Sequence, residues 1–219
     1  MVEYDKDAIV YPYITDYLRK EIPARTGILK ELEEYAEINS VPIVQPETAK
    51  FLETMMCIKR PVRILEVGCA IGYSAILMSQ YLSEGGSITT LEWDAETCEI
   101  ARKNIEKAGL SDKITVVLGD AKDIIPTLTG EYDVIFLDGP KAHYIYMLND
   151  CIRLLKRGGM LISDNILYKG MIADDEHVIR RKITIVKRLR RFISAQMQRD
   201  ELETVILPLG DGVTVAVKK

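Results

Sequence analysis

From residue 62 onward, apolar positions fall in short unbroken runs, separated by stretches whose apolar residues recur at helical spacing. VRILEV (62–67), SITTLE (87–92), ITVVLG (114–119), VIFLD (134–138) and MLISD (160–164) read as strands. Such runs suit strands that lie inside a sheet covered on both faces. Between them, residues 72–83, 97–110 (closed by Gly109) and 144–157 (ending at Arg157-Gly158-Gly159) carry the pattern of amphipathic helices. Strands alternating with helices predict a doubly wound, mostly parallel α/β sheet. The closing ETVILPLGDGVTVAVKK breaks this rhythm. Two strands around Gly210-Asp211-Gly212 predict a hairpin, which makes the last strand antiparallel. The first 60 residues differ again, with helical spacing over 6–19, 27–38 and 46–57. Pro46 suits a first helical turn, and VPIV (41–44) joins the second helix to the third. The expected organisation is one domain, with a helical extension over 1–60 and an α/β core over 61–219.

Composition changes this picture little. With 219 residues, 47% hydrophobic and 28% charged, the chain can build one sizeable core. No apolar run approaches the roughly 20 residues of a membrane span. The N-terminus, MVEYDKDAIVYPYI, is acidic and lacks a hydrophobic signal region, so a cytoplasmic protein is expected. Cys57, Cys69, Cys98 and Cys151 form no CxxC pair and read as buried, reduced thiols. Charge is uneven: residues 1–140 hold 14 Lys/Arg against 24 Asp/Glu, whereas 141–219 hold 15 against 9. A polyanionic partner would therefore meet the C-terminal third.

Ligands of open α/β sheets sit beyond the carboxyl ends of the strands, so those residues carry the chemistry. The first strand ends in Glu66-Val67-Gly68-Cys69-Ala70-Ile71-Gly72-Tyr73-Ser74, where two glycines let a ligand approach the backbone. The spacing is GxxxG rather than GxGxxG, which weighs against a dinucleotide fold. The second strand ends at Glu92, suited to accept both hydroxyls of a ribose. The third ends in Gly119-Asp120-Ala121, where a carboxylate could meet an adenine amino group. The fourth and fifth end at Asp138 (FLDGPKAHY) and Asp164-Asn165 (ISDNILYKG). Two carboxylates and an amide form an oxygen-only set suited to Mg²⁺ or Ca²⁺. Alternatively, Asp138 and Asp164 merely cap strand-to-loop turns.

The order of these features resembles the class I S-adenosylmethionine-dependent methyltransferases, whose glycine-loop acid and glycines match Glu66, Gly68 and Gly72. Their ribose acid matches Glu92, and their adenine-side position matches Asp120 with Ala121. The resemblance implies a Rossmann-like, seven-stranded sheet over residues 60–219. ILEVGCAIGYSA, LEWD, GDA, FLDGPKAHY and ISDNILYKG together are similar to the cation-dependent O-methyltransferases of the catechol and caffeoyl-CoA type. That family's metal ligands fall on Asp138, Asp164 and Asn165, and its lysine near the reacting hydroxyl falls on Lys141. Val44, Ser74 and Tyr144 match positions close to the cofactor, as does Asp138. The resemblance thus implies S-adenosylmethionine and Mg²⁺, or another divalent cation, with Asp138 and Lys141 catalytic. The chain departs from the family at Cys69, where threonine is common, and in DGPKAHY, where Gly139-Pro140 and His143 replace small and amide residues.

Within that family the chain resembles the bacterial tRNA 5-hydroxyuridine methyltransferases, through YAEINSVPI, AIGYSAI, YDVIFLDGPK, DNILYKG and LPLGDG. The implied reaction converts wobble 5-hydroxyuridine to 5-methoxyuridine in a tRNA anticodon loop, with a homodimer as the implied assembly. RRKITIVKRLRR (180–191) supplies 7 basic residues of 12. Arg180, Arg181, Lys182, Lys187, Arg188, Arg190 and Arg191, with Lys169, are candidate phosphate contacts. The same pattern also fits an amphipathic helix packed on the sheet. Two other readings stand beside this one: an O-methyltransferase of catechol-like small molecules, and a non-catalytic nucleotide- or RNA-binding module.

Overall fold

The computed structural model describes residues 9–219. Residues 6–8 of the first expected helix lie outside the described residues. The N-terminal extension comprises α1 (Pro12–Glu21), α2 (Gly27–Asn39) and α3 (Pro46–Lys59). The core follows as β1 (Arg63–Val67), α4 (Tyr73–Ser79), β2 (Ser87–Glu92), α5 (Ala95–Lys107), β3 (Ile114–Leu118), α6 (Ala121–Ile124), β4 (Tyr132–Leu137), α7 (Tyr144–Leu154) and β5 (Leu155–Ser163). It closes with α8 (Ile183–Met197), β6 (Leu202–Leu207) and β7 (Val213–Lys218).

The seven strands form one sheet in the order β3-β2-β1-β4-β5-β7-β6. The pairs among β1 to β5 are parallel, and β7 runs antiparallel to both β5 and β6. The antiparallel strand is last in the chain, yet it lies inside the sheet, and β6 takes the edge.

Strand alternation sorts the core into two layers. Ile64, Val134, Phe136, Ile162 and Val215 face α2, α3 and α4. Their neighbours Leu65, Ile135, Leu137, Leu161 and Ala216 face α7 and α8. The edge-to-face pair Tyr144–Phe192, with ring centroids 5.4 Å apart, joins α7 to α8 in the second layer.

One boundary differs from expectation. The helix expected to run to residue 157 ends at Leu154, and Leu155 already pairs with Tyr132 of β4. Pairing resumes at Val134–Met160, so Lys156-Arg157-Gly158-Gly159 bulge out of β5. Gly158 takes φ +70, and a Cβ on Gly159 would lie 2.8 Å from the Lys156 carbonyl. The two glycines therefore serve the bulge rather than a helix cap.

A polar cluster fastens the extension to the core. Arg25 pairs with Glu53 at 2.5 Å, and the Tyr73 hydroxyl at the start of α4 donates to Glu33 at 2.5 Å. Among the described residues, no helix is long and apolar enough to cross a membrane. Cys69, Cys98 and Cys151 are buried, but Cys57 is exposed, contrary to the expectation for all four.

Candidate active site

The ends of β1, β2 and β4 meet backbone to backbone. The Gly68 and Cys69 amides donate to the Leu91 carbonyl at 2.9 and 3.2 Å. Gly68 adopts φ +96, and a Cβ there would come within 2.6 Å of the Asp138 carbonyl oxygen. Only glycine fits this crossing. Gly72, at φ +89, makes the turn into α4.

Two adjoining cavities open over these ends. The first, of about 260 Å³, is lined by Val67, Gly68, Leu91, Glu92, Trp93, Gly119, Asp120, Ala121, Pro140, His143 and Met147. The second, of about 390 Å³, is lined by Pro42–Gln45, Gly68, Ala70, Glu92, Trp93, Asp138–Lys141, Asp164 and Asn165. Gly68, Glu92, Trp93 and Pro140 belong to both. The candidate cofactor residues Val44, Gly68, Glu92, Asp120, Ala121 and Asp138 thus line one continuous space.

Glu92 is fixed by three amides. Its Oε1 accepts from Trp93 N and Asp94 N at 3.0 and 3.1 Å, and its Oε2 accepts from Ala70 N at 3.1 Å. A carboxylate offers about four acceptor positions, so capacity remains on the cavity side. Asp120 is more committed: it caps α6 through the Lys122 amide at 2.9 Å and pairs with Lys122 Nζ at 3.2 Å. The Lys122 backbone bond, opposed by partial burial, holds its pKa below the ordinary carboxylate range.

Glu66, Gly72, Ser74 and Tyr144 do not line either cavity. Glu66 falls on the same strand face as Ile64, so it points beneath the glycine loop, where it accepts from the Thr90 hydroxyl at 2.5 Å. Burial pushes its pKa up to about 7, against the opposing effect of the Ser74 and Thr90 hydroxyls. Tyr144 is fully buried, and its hydroxyl donates to the Leu137 carbonyl at 2.9 Å. These side chains support the loops that form the cavity walls.

Asp138, Lys141, Asp164 and Asn165 converge in the second cavity. Lys141 Nζ lies 2.9 Å from Asp138 Oδ1, and Asp164 Oδ1 accepts the Asn165 amide at 2.7 Å. Burial, reinforced by the neighbouring Asp138, raises the Asp164 pKa. Asp138 is likewise raised by burial, with Lys141 acting against it. Among the described residues no three His, Cys, Asp or Glu side chains gather as a metal site. The candidate set here is two carboxylates and an amide. One buried and one half-buried carboxylate beside a single ammonium leave room for more positive charge, and their oxygen donors fit a hard divalent cation.

Comparison with known proteins agrees with this fold. A family profile described as O-methyltransferase matches residues 21–219. A catechol O-methyltransferase of Niastella koreensis is 31% identical over 213 residues, covering 94% of this chain and 95% of the relative. A caffeoyl-CoA O-methyltransferase of Populus kitakamiensis is 30% identical over 216 residues, covering 91% and 89%. The chain belongs to this O-methyltransferase family. An O-methyltransferase of Bacillus cereus, solved in complex with SAH, superposes with a TM-score of 0.84 at 28% identity, covering 94% of this chain and 97% of the other. With this fold and family, the protein is an S-adenosylmethionine-dependent O-methyltransferase.

In this methyltransferase a third recess, of about 350 Å³, adjoins the second cavity through Gln45 and Asn165. Its walls include Ile9, Val10 and Leu18 from the extension, with Lys169, Leu209 and Asp211 from the core. The basic segment is divided. Val186, Leu189, Phe192 and Ile193 bury the apolar face of α8. Arg190 pins the preceding loop, donating to Ile172 O at 2.8 Å and to Asp175 Oδ1 at 2.6 Å, and so acts within the fold. Lys182 sits 5.8 Å from the Tyr168 ring and Arg188 5.2 Å from the Tyr146 ring. Arg180, Arg181, Lys187 and Arg191 are exposed.

Sequence reasoning missed Trp93, Pro140, His143, Met147 and Asp211. Trp93 had a signal: the chain's single tryptophan follows Glu92 directly, and it is 72% exposed at the cavity mouth. His143, which stands where the family commonly has an amide, lines the first cavity. Burial, then the nearby Lys122 charge, hold its imidazole below the ordinary range, favouring the neutral form.

Proposed function

We propose that this chain methylates one of two adjacent oxygens on a catechol-like small molecule, with a divalent cation held by Asp138, Asp164 and Asn165. The observation that carries this reading is the convergence of these residues with Lys141 in a cavity continuous with Glu92. Full-length similarity to catechol and caffeoyl-CoA O-methyltransferases supports it.

Each residue then has a task. Glu92, oriented by three amides, accepts the ribose hydroxyls of the cofactor, and Trp93, His143 and Met147 enclose its base. Gly68 permits close backbone approach, while Val44 and Ile43 close the second cavity against water. S-adenosylmethionine supplies the methyl group, and a bound divalent cation would lower the pKa of a coordinated hydroxyl. Lys141, whose ammonium lies within this cavity, stabilises the developing oxyanion, and the hydroxyl proton leaves to water. The protein's remaining share is alignment of donor and acceptor.

A second reading, methylation of 5-hydroxyuridine in a tRNA anticodon loop, draws on one observation. Exposed Arg180, Arg181, Lys187 and Arg191 accompany Lys182, which covers Tyr168 three residues beyond Asn165. Product analysis by mass spectrometry separates the two, with a catechol, a matched monophenol and a 5-hydroxyuridine-containing tRNA as acceptors. The main reading expects methylated catechol and little from the monophenol. Methoxyuridine from the tRNA alone, with steeply salt-dependent binding, would transfer the assignment to RNA.

A further inference from the structure

The segment following Asp164 is unusual in its backbone. Asn165, Tyr168 and Lys169 take φ of +55, +49 and +56, the left-handed region that side chains disfavour. Such a conformation persists only where surrounding bonds impose it. Here the bonds come from the turn between β6 and β7. Ile166 N donates to Gly212 O at 3.0 Å, and Leu167 N donates to Asp211 O at 3.0 Å. The third bond uses a side chain: Lys169 N donates to Asp211 Oδ1 at 2.5 Å. Gly212 is committed to the same junction, because a Cβ there would meet the Leu167 side chain at 2.2 Å. Asp164 is anchored separately, by its amide to the Leu137 carbonyl at 2.9 Å.

We infer that Asp211 is a positioning residue for the metal site: its carboxylate locks the left-handed turn at Lys169 and so sets the direction of the Asn165 amide oxygen. This rests on the assignment of Asp138, Asp164 and Asn165 as cation ligands. The backbone bonds fix Ile166 and Leu167, while the carboxylate closes the far side of the loop, which those bonds leave open. Asp211 is also a negative charge near the site, so a purely electrostatic role is the rival explanation. The two make different demands. Positioning needs an acceptor oxygen at Oδ1, which asparagine retains; attraction of a cation needs the charge, which asparagine lacks.

The test is Mn²⁺ affinity, followed by electron paramagnetic resonance, in the wild type, Asp211→Asn and Asp211→Ala, with S-adenosylhomocysteine binding by calorimetry as the check on folding. Positioning expects Asp211→Asn within about threefold of the wild type and Asp211→Ala weaker by about 10- to 100-fold, the range typical of groups that orient metal ligands. Equal losses in both variants, or no loss in Asp211→Ala, overturns the inference. If Asp211→Ala does not fold, amide exchange at Lys169 in Asp211→Asn decides: retained protection supports the clamp, and lost protection removes it. Failure of the wild type to bind Mn²⁺ would instead overturn the metal assignment beneath it.

Discussion

Three backbone amides converge on Glu92, and one strand earlier the Glu66 carboxylate is buried; the two acids look alike in sequence but behave differently. Glu92 is the last residue of β2, paired with Leu118 of β3, and its carboxylate lines both cavities with its geometry fixed. Replacing it with alanine removes a charged acceptor, which costs about 1.5–3 kcal/mol, or roughly 10- to 100-fold in affinity. Calorimetry with S-adenosylhomocysteine should show that loss, and an unchanged affinity would remove Glu92 from the ribose role. Glu66 shares the strand face of Ile64, which alternation sends into the core. Its pKa, raised from 4.5 to about 7, means that the folded state binds the proton more tightly than the unfolded chain. The stability this confers is present at low pH and declines as pH rises through about 7. Glu66→Gln escapes that decline. Between about pH 4 and pH 8, urea titrations should shift in the variant's favour by up to about 3 kcal/mol. Parallel pH profiles would contradict this burial effect.

At the scale of elements, the glycine loop and the loop after β4 form one unit rather than two. A Cβ at Gly68 would strike the Asp138 backbone, so Gly68→Ala both strains its own φ and pushes β1 and β4 apart at their ends. We expect a cost of about 1–3 kcal/mol, read as a fall in Tm of several degrees, together with weaker S-adenosylhomocysteine binding. Wild-type values for both would show that the loops tolerate separation. The strands, their order of functional ends and the terminal hairpin were legible because apolar runs, GxxxG and GDG are local signals. The bulge at Gly158-Gly159 was not, since glycines after a helical pattern signal a cap equally well. Nor was the Asp211 contact with Lys169, which joins residues 42 apart in sequence. Tyr144 matched a family position close to the cofactor, but a one-dimensional motif does not say which side chain turns inward.

For the molecule as a whole, charge asymmetry suggested a polyanionic partner at the C-terminal third, and the fold divides that charge among several tasks. Arg190 braces a loop, Lys218 Nζ donates to Ile152 O and Leu155 O at 2.7 and 2.9 Å, and α8 buries its apolar face. The metal-ligand candidates, by contrast, share one cavity, because consecutive parallel strands β4 and β5 end side by side. The most direct test is methyl transfer to a catechol, followed by mass spectrometry, in protein treated with EDTA and then resupplied with Mg²⁺, with Asp164→Ala in parallel. Turnover should vanish with EDTA and return with Mg²⁺ in the wild type, but not in Asp164→Ala, which should still bind S-adenosylhomocysteine. Undiminished turnover in EDTA, or full activity in Asp164→Ala, would show that Asp138, Asp164 and Asn165 do not hold a catalytic cation.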